Sequence, residues 1–133
     1  MQPTILLDTQ VLIWLLEDDA KLGQQNRQLV LAKQQTIAAS YFSLLELTFK
    51  TASGKLKTYD IELKDYLQKT GIDLILPTGS ELHYYRIFSP ENKDPFDNLL
   101  IATALENGYS FMTADRKILD TKTRGLKLID ATK

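Results

Sequence analysis

The chain has 133 residues, of which 44% are hydrophobic and 25% charged, and its formal net charge is -1. That length suits a single domain over 1–133 with room for a core, and the near-neutral balance supplies no strong overall field for nucleic acid or membrane. Cysteine is absent and histidine occurs once, which excludes disulfides, thiolate metal sites and cysteine nucleophiles and argues against a multi-histidine zinc site.

A bound metal would therefore draw on oxygen ligands, which favours magnesium or manganese. The start, Met1 to Asp8, has no basic segment followed by a long apolar run, so no signal peptide is expected. No stretch approaches the ~18 uninterrupted apolar residues of a membrane span. A cytoplasmic protein is the expectation.

Thr4-Ile5-Leu6-Leu7 reads as a strand buried on both faces. It ends at Asp8-Thr9, after which Val11, Leu12, Trp14, Leu15 and Leu16 recur at near-helical spacing up to Glu17-Asp18-Asp19. A buried strand running straight into a helix, with an acid at the junction, is an α/β pattern. Ligands of open parallel sheets bind at the carboxyl ends of strands. Asp8 thus has two readings, a helix cap or a ligand-facing acid. Residues 24–35 read as a surface helix with Leu29, Val30 and Ala32 inside, and Thr36-Ile37-Ala38-Ala39 as a second buried strand. Ser40 to Lys50 reads as a helix that places Phe42, Leu45, Phe49 and Ala52 on one face and ends near Gly54. Glu46 either closes a capping box with Ser43 or faces a site.

Asp60 to Lys69 is amphipathic through Ile61, Leu63, Tyr66 and Leu67, with Asp60 as cap and Gly71 as terminator. Asp73 to Pro77 is a third strand. Thr78-Gly79-Ser80-Glu81 fits a capping box that opens a helix through Leu82, Tyr85 and Phe88, where His83 reads as a surface or packing residue. Ser89-Pro90-Glu91-Asn92 reads as a loop after it. Asp94-Pro95-Phe96-Asp97 then opens a helix to Asn107, ended by Gly108: Asp94 can cap, Pro95 suits the first position and Asp97 falls in the first turn. Carboxylates are favoured there by the helix dipole, so Asp97 is either good helix design or a metal-facing acid. Tyr109 to Thr113 is a fourth strand running into Ala114-Asp115. Ile118-Leu119 fits a short helix, and Leu126 to Ile129 a last strand of alternating character. Trp14 and Met112 are assigned to the core. Strands alternating with helices predict a doubly wound α/β domain with a mostly parallel sheet.

Asp8 and Asp115 end apolar strands, and Glu46 and Asp97 open helices. In a doubly wound fold all four can converge above the carboxyl edge of the sheet. Carboxylates packed together raise one another's pKa unless a cation sits among them. A hard divalent ion is the natural partner, and such a site suits phosphodiester hydrolysis. Thr9 and Thr113, beside the strand-ending acids, can hold metal-bound waters.

The stretches Leu6-Leu7-Asp8-Thr9-Gln10-Val11-Leu12-Ile13-Trp14, Ser43-Leu44-Leu45-Glu46-Leu47 with Lys50 and Gly54-Lys55-Leu56, Asp94 to Ala104, Met112 to Leu119 and Gly125 to Ile129 occur in one order. With them the chain resembles a PIN domain, specifically a VapC-type toxin ribonuclease of bacterial toxin–antitoxin modules. The resemblance implies a three-layer α/β/α fold with a mostly parallel central sheet. It also implies a metal-dependent endoribonuclease whose metal-binding and catalytic acids are Asp8, Glu46, Asp97 and Asp115. Asp94 matches a companion acid, read mainly as a cap, and Thr113 a small hydroxyl residue near the site. The cofactor implied is Mg2+ or Mn2+, and the partners are RNA, a small cognate antitoxin and a second copy in a homodimer. Two positions depart from the family pattern: Gln10 stands where His is common and Asn98 where Arg is common. These put substrate preference and partner geometry in question, not the four acids.

RNA needs positive charge. From Thr113 onward, Arg116, Lys117, Lys122, Arg124, Lys127 and Lys133 face Asp115, Asp120 and Asp130, a local net of +3. Lys50, Lys55 and Lys57 form a second basic run past Glu46. Lys50, Arg116 and Lys117 are the candidate RNA contacts, against the reading that they are solvated surface residues. Tyr41, Tyr84 and Tyr85 read as core packing before base stacking. The alternative function is a catalytically inactive PIN-like domain that binds nucleic acid or a partner. A haloacid-dehalogenase-type phosphatase is disfavoured, because Asp8-Thr9-Gln10 lacks an Asp two residues on.

Overall fold

The computed structural model describes residues 3–57, 62–87, 94–121 and 123–133. In chain order these form β1 (Ile5–Leu7), α1 (Thr9–Glu17), α2 (Gln24–Leu31), β2 (Ile37–Ser40), α3 (Tyr41–Ala52), α4 (Leu63–Thr70), β3 (Asp73–Ile75), α5 (Glu81–Ile87), α6 (Pro95–Asn107), β4 (Ser110–Thr113), α7 (Arg116–Leu119) and β5 (Lys127–Asp130). The cap expected at Asp60, Ile61, the helix end at Phe88, the loop 89–92, Lys93 and Lys122 lie outside the described residues.

The strands make one sheet ordered β3-β2-β1-β4-β5, and every pairing in it is parallel. β1 is central: Leu6 pairs with Ala38 on one side and Phe111 on the other. Successive strand residues point to opposite faces. Ile5 and Leu7 accordingly join one apolar cluster with Val11, Leu12, Leu47 and Leu67, while Leu6 joins a second with Leu100, Ala104, Phe111 and Ile118. Helices therefore cover both faces, which is the three-layer α/β/α arrangement. It explains why β1 is apolar without alternation: none of its residues is more than 1% exposed. Each such side chain contributes roughly 1.5–3 kcal/mol relative to an exposed one.

Several local expectations differ from the structure. The helix over 24–35 stops at Leu31, and Lys33 turns left-handed at φ 57°. The third strand stops at Ile75, leaving Leu76 62% exposed ahead of Pro77. Ser43 and Glu46 do not form a capping box. Ser40 is the N-cap of α3, its hydroxyl accepting from the Phe42 N–H at 3.0 Å, and Ser43 lies a turn inside. Nor is the face of Phe42, Leu45, Phe49 and Ala52 the buried one: Ser43, Leu44, Glu46 and Leu47 are buried, and Phe49 is 58% exposed. The reason is that α3 packs against both α1 and α6. It sends Leu44 and Leu47 into one cluster and Phe42 into the other, so no single stripe describes it. Tyr41, expected in the core, is exposed.

Other local signals hold. Glu81 reaches back to the N–H groups of Thr78 and Gly79. Gly71 and Gly108 end α4 and α6 in the left-handed region, where glycine carries no Cβ penalty.

Candidate functional site

In the order β3-β2-β1-β4-β5 the direction of winding reverses between β1 and β4. The carboxyl ends of such neighbours form a crevice, and the two strand-ending acids sit there. Asp8 directly follows β1, and its N–H donates to the Met112 carbonyl at 2.9 Å. Its Oδ1 accepts from the Thr9 N–H at 2.7 Å and its Oδ2 from the Thr113 hydroxyl at 2.6 Å. Thr113, the last residue of β4, also accepts from the Asp115 N–H at 3.1 Å. One hydroxyl thus joins the two strand ends. Asp115 in turn caps α7, accepting from the Lys117 and Ile118 N–H groups at 2.8 and 3.3 Å. For Asp8 and Asp115, capping and pocket-facing are the same placement.

Glu46 arrives from α3. The Thr9 hydroxyl donates to Ser43 Oγ at 2.9 Å, tying α1 to α3 one turn before Glu46. Phe49 meets Phe96 edge to face at 5.7 Å, tying α3 to the start of α6. There Asp94 caps the helix, accepting from the Phe96 and Asp97 N–H groups at 2.9 and 3.4 Å, with Pro95 at the first position. Asp8, Thr9, Glu46, Lys50, Asp94, Asp97 and Asp115 all line one open cavity of about 650 Å³, with Gln10 and Lys21 at its walls. Trp14, assigned to the core, is buried and also lines this cavity.

The electrostatics are strained in one place and relieved in another. Burial pushes the Asp8 carboxyl up to about 6, against the donors Thr113 and Thr9 and with repulsion from Glu46 and Asp115 adding to the rise. Glu46 is 3% exposed. Its Oε2 accepts from the Lys50 ammonium at 2.7 Å, and its Oε1 is buried without a hydrogen-bond partner. Burial works against the charge on Lys50, but the bond to Glu46 and the fields of Glu46, Asp94 and Asp97 outweigh it and hold its pKa above the usual value. Among the described residues no three acids converge closely enough to make a ready metal cage; they ring the cavity instead. A divalent cation nonetheless fits the donor set. The donors are all oxygens, and the orphaned buried Oε1 of Glu46 is an acceptor the protein itself leaves unsatisfied.

Of the other expected contacts, Lys50 lies in the pocket, whereas Arg116 pairs with Asp130 at 2.6 Å and Lys117 is exposed beyond the pocket lining. Asn98 is buried under the helix start, its side-chain amide 3.5 Å from the Tyr85 hydroxyl. Sequence reasoning missed Ser43 as the partner of Thr9. It also missed the Glu46–Lys50 pair, which the spacing of four residues on one helix would have signalled.

The PIN domain family model matches residues 5–123, and the chain belongs to that family. Its fold is shared with VapBC2 from Rickettsia felis bound to a promoter DNA fragment, at TM-score 0.67 and 19% identity over 96% of this chain and 98% of that one. A toxin–antitoxin complex from Klebsiella pneumoniae matches at TM-score 0.63 and 18% identity over 96% and 97%. VapBC-1 from nontypeable Haemophilus influenzae matches at 0.62 and 18% over 98% and 99%. At these identities the likeness is one of fold. No curated protein matches the sequence. Among the described residues no helix is long and apolar enough to cross a membrane.

Proposed function

We propose that this PIN domain is a metal-dependent endoribonuclease, the toxin of a type II toxin–antitoxin module, which hydrolyses RNA phosphodiester bonds with metal-activated water. The observation that carries the reading is the ring of Asp8, Glu46, Asp97 and Asp115 around one cavity at the β1–β4 crevice, with a buried Glu46 oxygen lacking a donor. In this reading those four acids are the metal ligands and the catalytic set. Bound Mg2+ or Mn2+ supplies Lewis acidity and a bound water of lowered pKa.

The chain's own groups position the rest. Thr113 orients Asp8 and Asp115 together, Thr9 anchors α3 through Ser43, and Asp94 fixes the turn that carries Asp97. Lys50, Arg116 and Lys117 face the RNA backbone, with Arg116 exchanging Asp130 for phosphate. The fold neighbours that are toxin–antitoxin complexes support a small cognate antitoxin as partner. A homodimer, a cytoplasmic setting and a single domain over 1–133 complete the reading.

The test is cleavage of RNA with Mg2+ or Mn2+, with and without chelator, in wild type and in Asp8→Asn and Asp97→Asn. Cleavage is expected in wild type with metal alone. Activity that survives both the chelator and the substitutions overturns the proposal.

A further inference from the structure

The Glu46–Lys50 pair is unlike an ordinary ion pair on a helix surface. The Glu46 side chain is 4% exposed and that of Lys50 43%. Lys50 therefore reaches from the rim of the pocket to a buried carboxylate. It engages Oε2 at 2.7 Å and leaves Oε1 with nothing. Its ammonium also lies within the fields of Asp94 and Asp97, at the start of the neighbouring helix. Among the described residues, Lys50 and Lys21 are the two basic residues on the pocket lining, against five acids, and of these two Lys50 is hydrogen-bonded to one of those acids.

Two-metal phosphodiesterase centres hold their ions about 3.5–4 Å apart. A carboxylate that bridges ions at that distance places one oxygen on each. A carboxylate that chelates one ion also uses both oxygens. While Lys50 holds Oε2 at 2.7 Å, an ion approaching that oxygen meets the repulsion of the ammonium charge. From this, and resting on the metal-dependent reading above, we propose that Lys50 is a resident cation that stands in for a second metal ion: the pocket takes one divalent ion, and Glu46 meets it through Oε1 alone. Lys50 is on this view a positioning residue for Glu46. The fixed ammonium supplies charge beside the ion that a second metal would otherwise bring, and it is present whatever the free metal concentration.

Titration calorimetry of the 133-residue chain with MnCl2, without RNA, reads the number of ions directly. Wild type takes up one Mn2+ per chain. Lys50→Met, with a side chain of similar length and no charge, takes up two, because both Glu46 oxygens become available. Lys50→Arg keeps the charge and stays at one. Lys50→Gln is a second neutral variant, should Lys50→Met fail to give a native circular dichroism spectrum, and it also takes up two. Two ions in wild type, or one ion in a folded neutral variant, overturns the proposal while leaving the metal-dependent reading intact. No Mn2+ uptake by wild type overturns both.

Discussion

Glu46 and Glu81 are buried to the same degree, each 3% exposed, at opposite kinds of place. Glu81 opens α5 and is saturated with donors: the Gly79 N–H at 2.8 Å, the Thr78 N–H at 3.3 Å and the Thr78 hydroxyl at 3.2 Å. Burial alone would raise its pKa, but these donors bring it below the usual carboxylate value. Asp130 is treated likewise. The Thr132 hydroxyl and N–H and the Arg116 guanidinium bring it down to about 2. At the pocket the pattern inverts. Glu46 has Lys50 on one oxygen and nothing on the other, and Asp8 rises to about 6 although two donors oppose the rise. A carboxylate held for structure collects donors until its charge is well solvated by the protein. Glu46 in the pocket is left short, and that shortfall is what the proposed cation fills.

The largest effect that could break this contrast comes from neutral amide swaps. Asp8→Asn should reduce metal-dependent RNA cleavage to background. At pH 7 it should also stabilise the metal-free protein by roughly 2 kcal/mol, since a buried charge disappears while Thr9 and Thr113 keep a partner. Glu81→Gln should do the reverse, leaving cleavage intact and costing about 1–2 kcal/mol through the weakened donor set. Thermal unfolding of the two variants beside wild type reads both signs; the same sign for both would dissolve the comparison.

A pH series sharpens it. The folded Asp8 carboxyl titrates near about 6 against 3.8 for a free one. Between these values the folded state holds a proton that the unfolded chain has released. Stability of the metal-free protein from this group therefore falls as pH rises from about 4 to about 6, and is level above. Asp130, with its pKa held at about 2, contributes the other way, its share present above pH ~4 and lost as pH falls toward 2. Urea midpoints from pH 4 to 7 should slope downward in wild type and lose that slope in Asp8→Asn. The smallest effect concerns the cap: Asp94→Ala should cost on the order of 1 kcal/mol, read by the same urea midpoints.

Much of the fold was legible in the sequence because its local signals agree with its layers. The apolar run before Asp8 reads as a strand covered on both faces, and it is. The Asp94-Pro95 start and Gly108 end of α6 follow from capping rules alone. Asp8 and Asp115 were legible because each follows a strand, and Asp97 because it opens a helix, positions that a doubly wound sheet brings to one edge; Glu46, expected in a first turn, lies a turn further into α3 and still lines the same cavity. What stayed hidden depends on contacts distant in sequence. Ser43 was paired with Glu46 by a local motif, but Ser40 had already started the helix, and Ser43 instead answers to Thr9, 34 residues away. The buried side of α3 was misjudged because two helices press on it at once, which no single periodicity encodes. The strand order, which decides that Asp8 and Asp115 are neighbours, is likewise absent from any local window.

That order also governs when the pocket can exist. Leu6 pairs with Phe111, and the Thr113 hydroxyl reaches Asp8 across 105 positions of chain. Closing so long a loop is slow compared with forming the local helices. A growing chain emerges from the ribosome with Asp8 and then Glu46, and Asp8 lacks the Thr113 hydroxyl until β4 arrives and docks on β1. Interrupted synthesis anywhere before residue 110 leaves Asp8 without Thr113 and the ring without Asp115. The assembly of the carboxylate ring is thereby tied to the synthesis of β4 and the residues just after it.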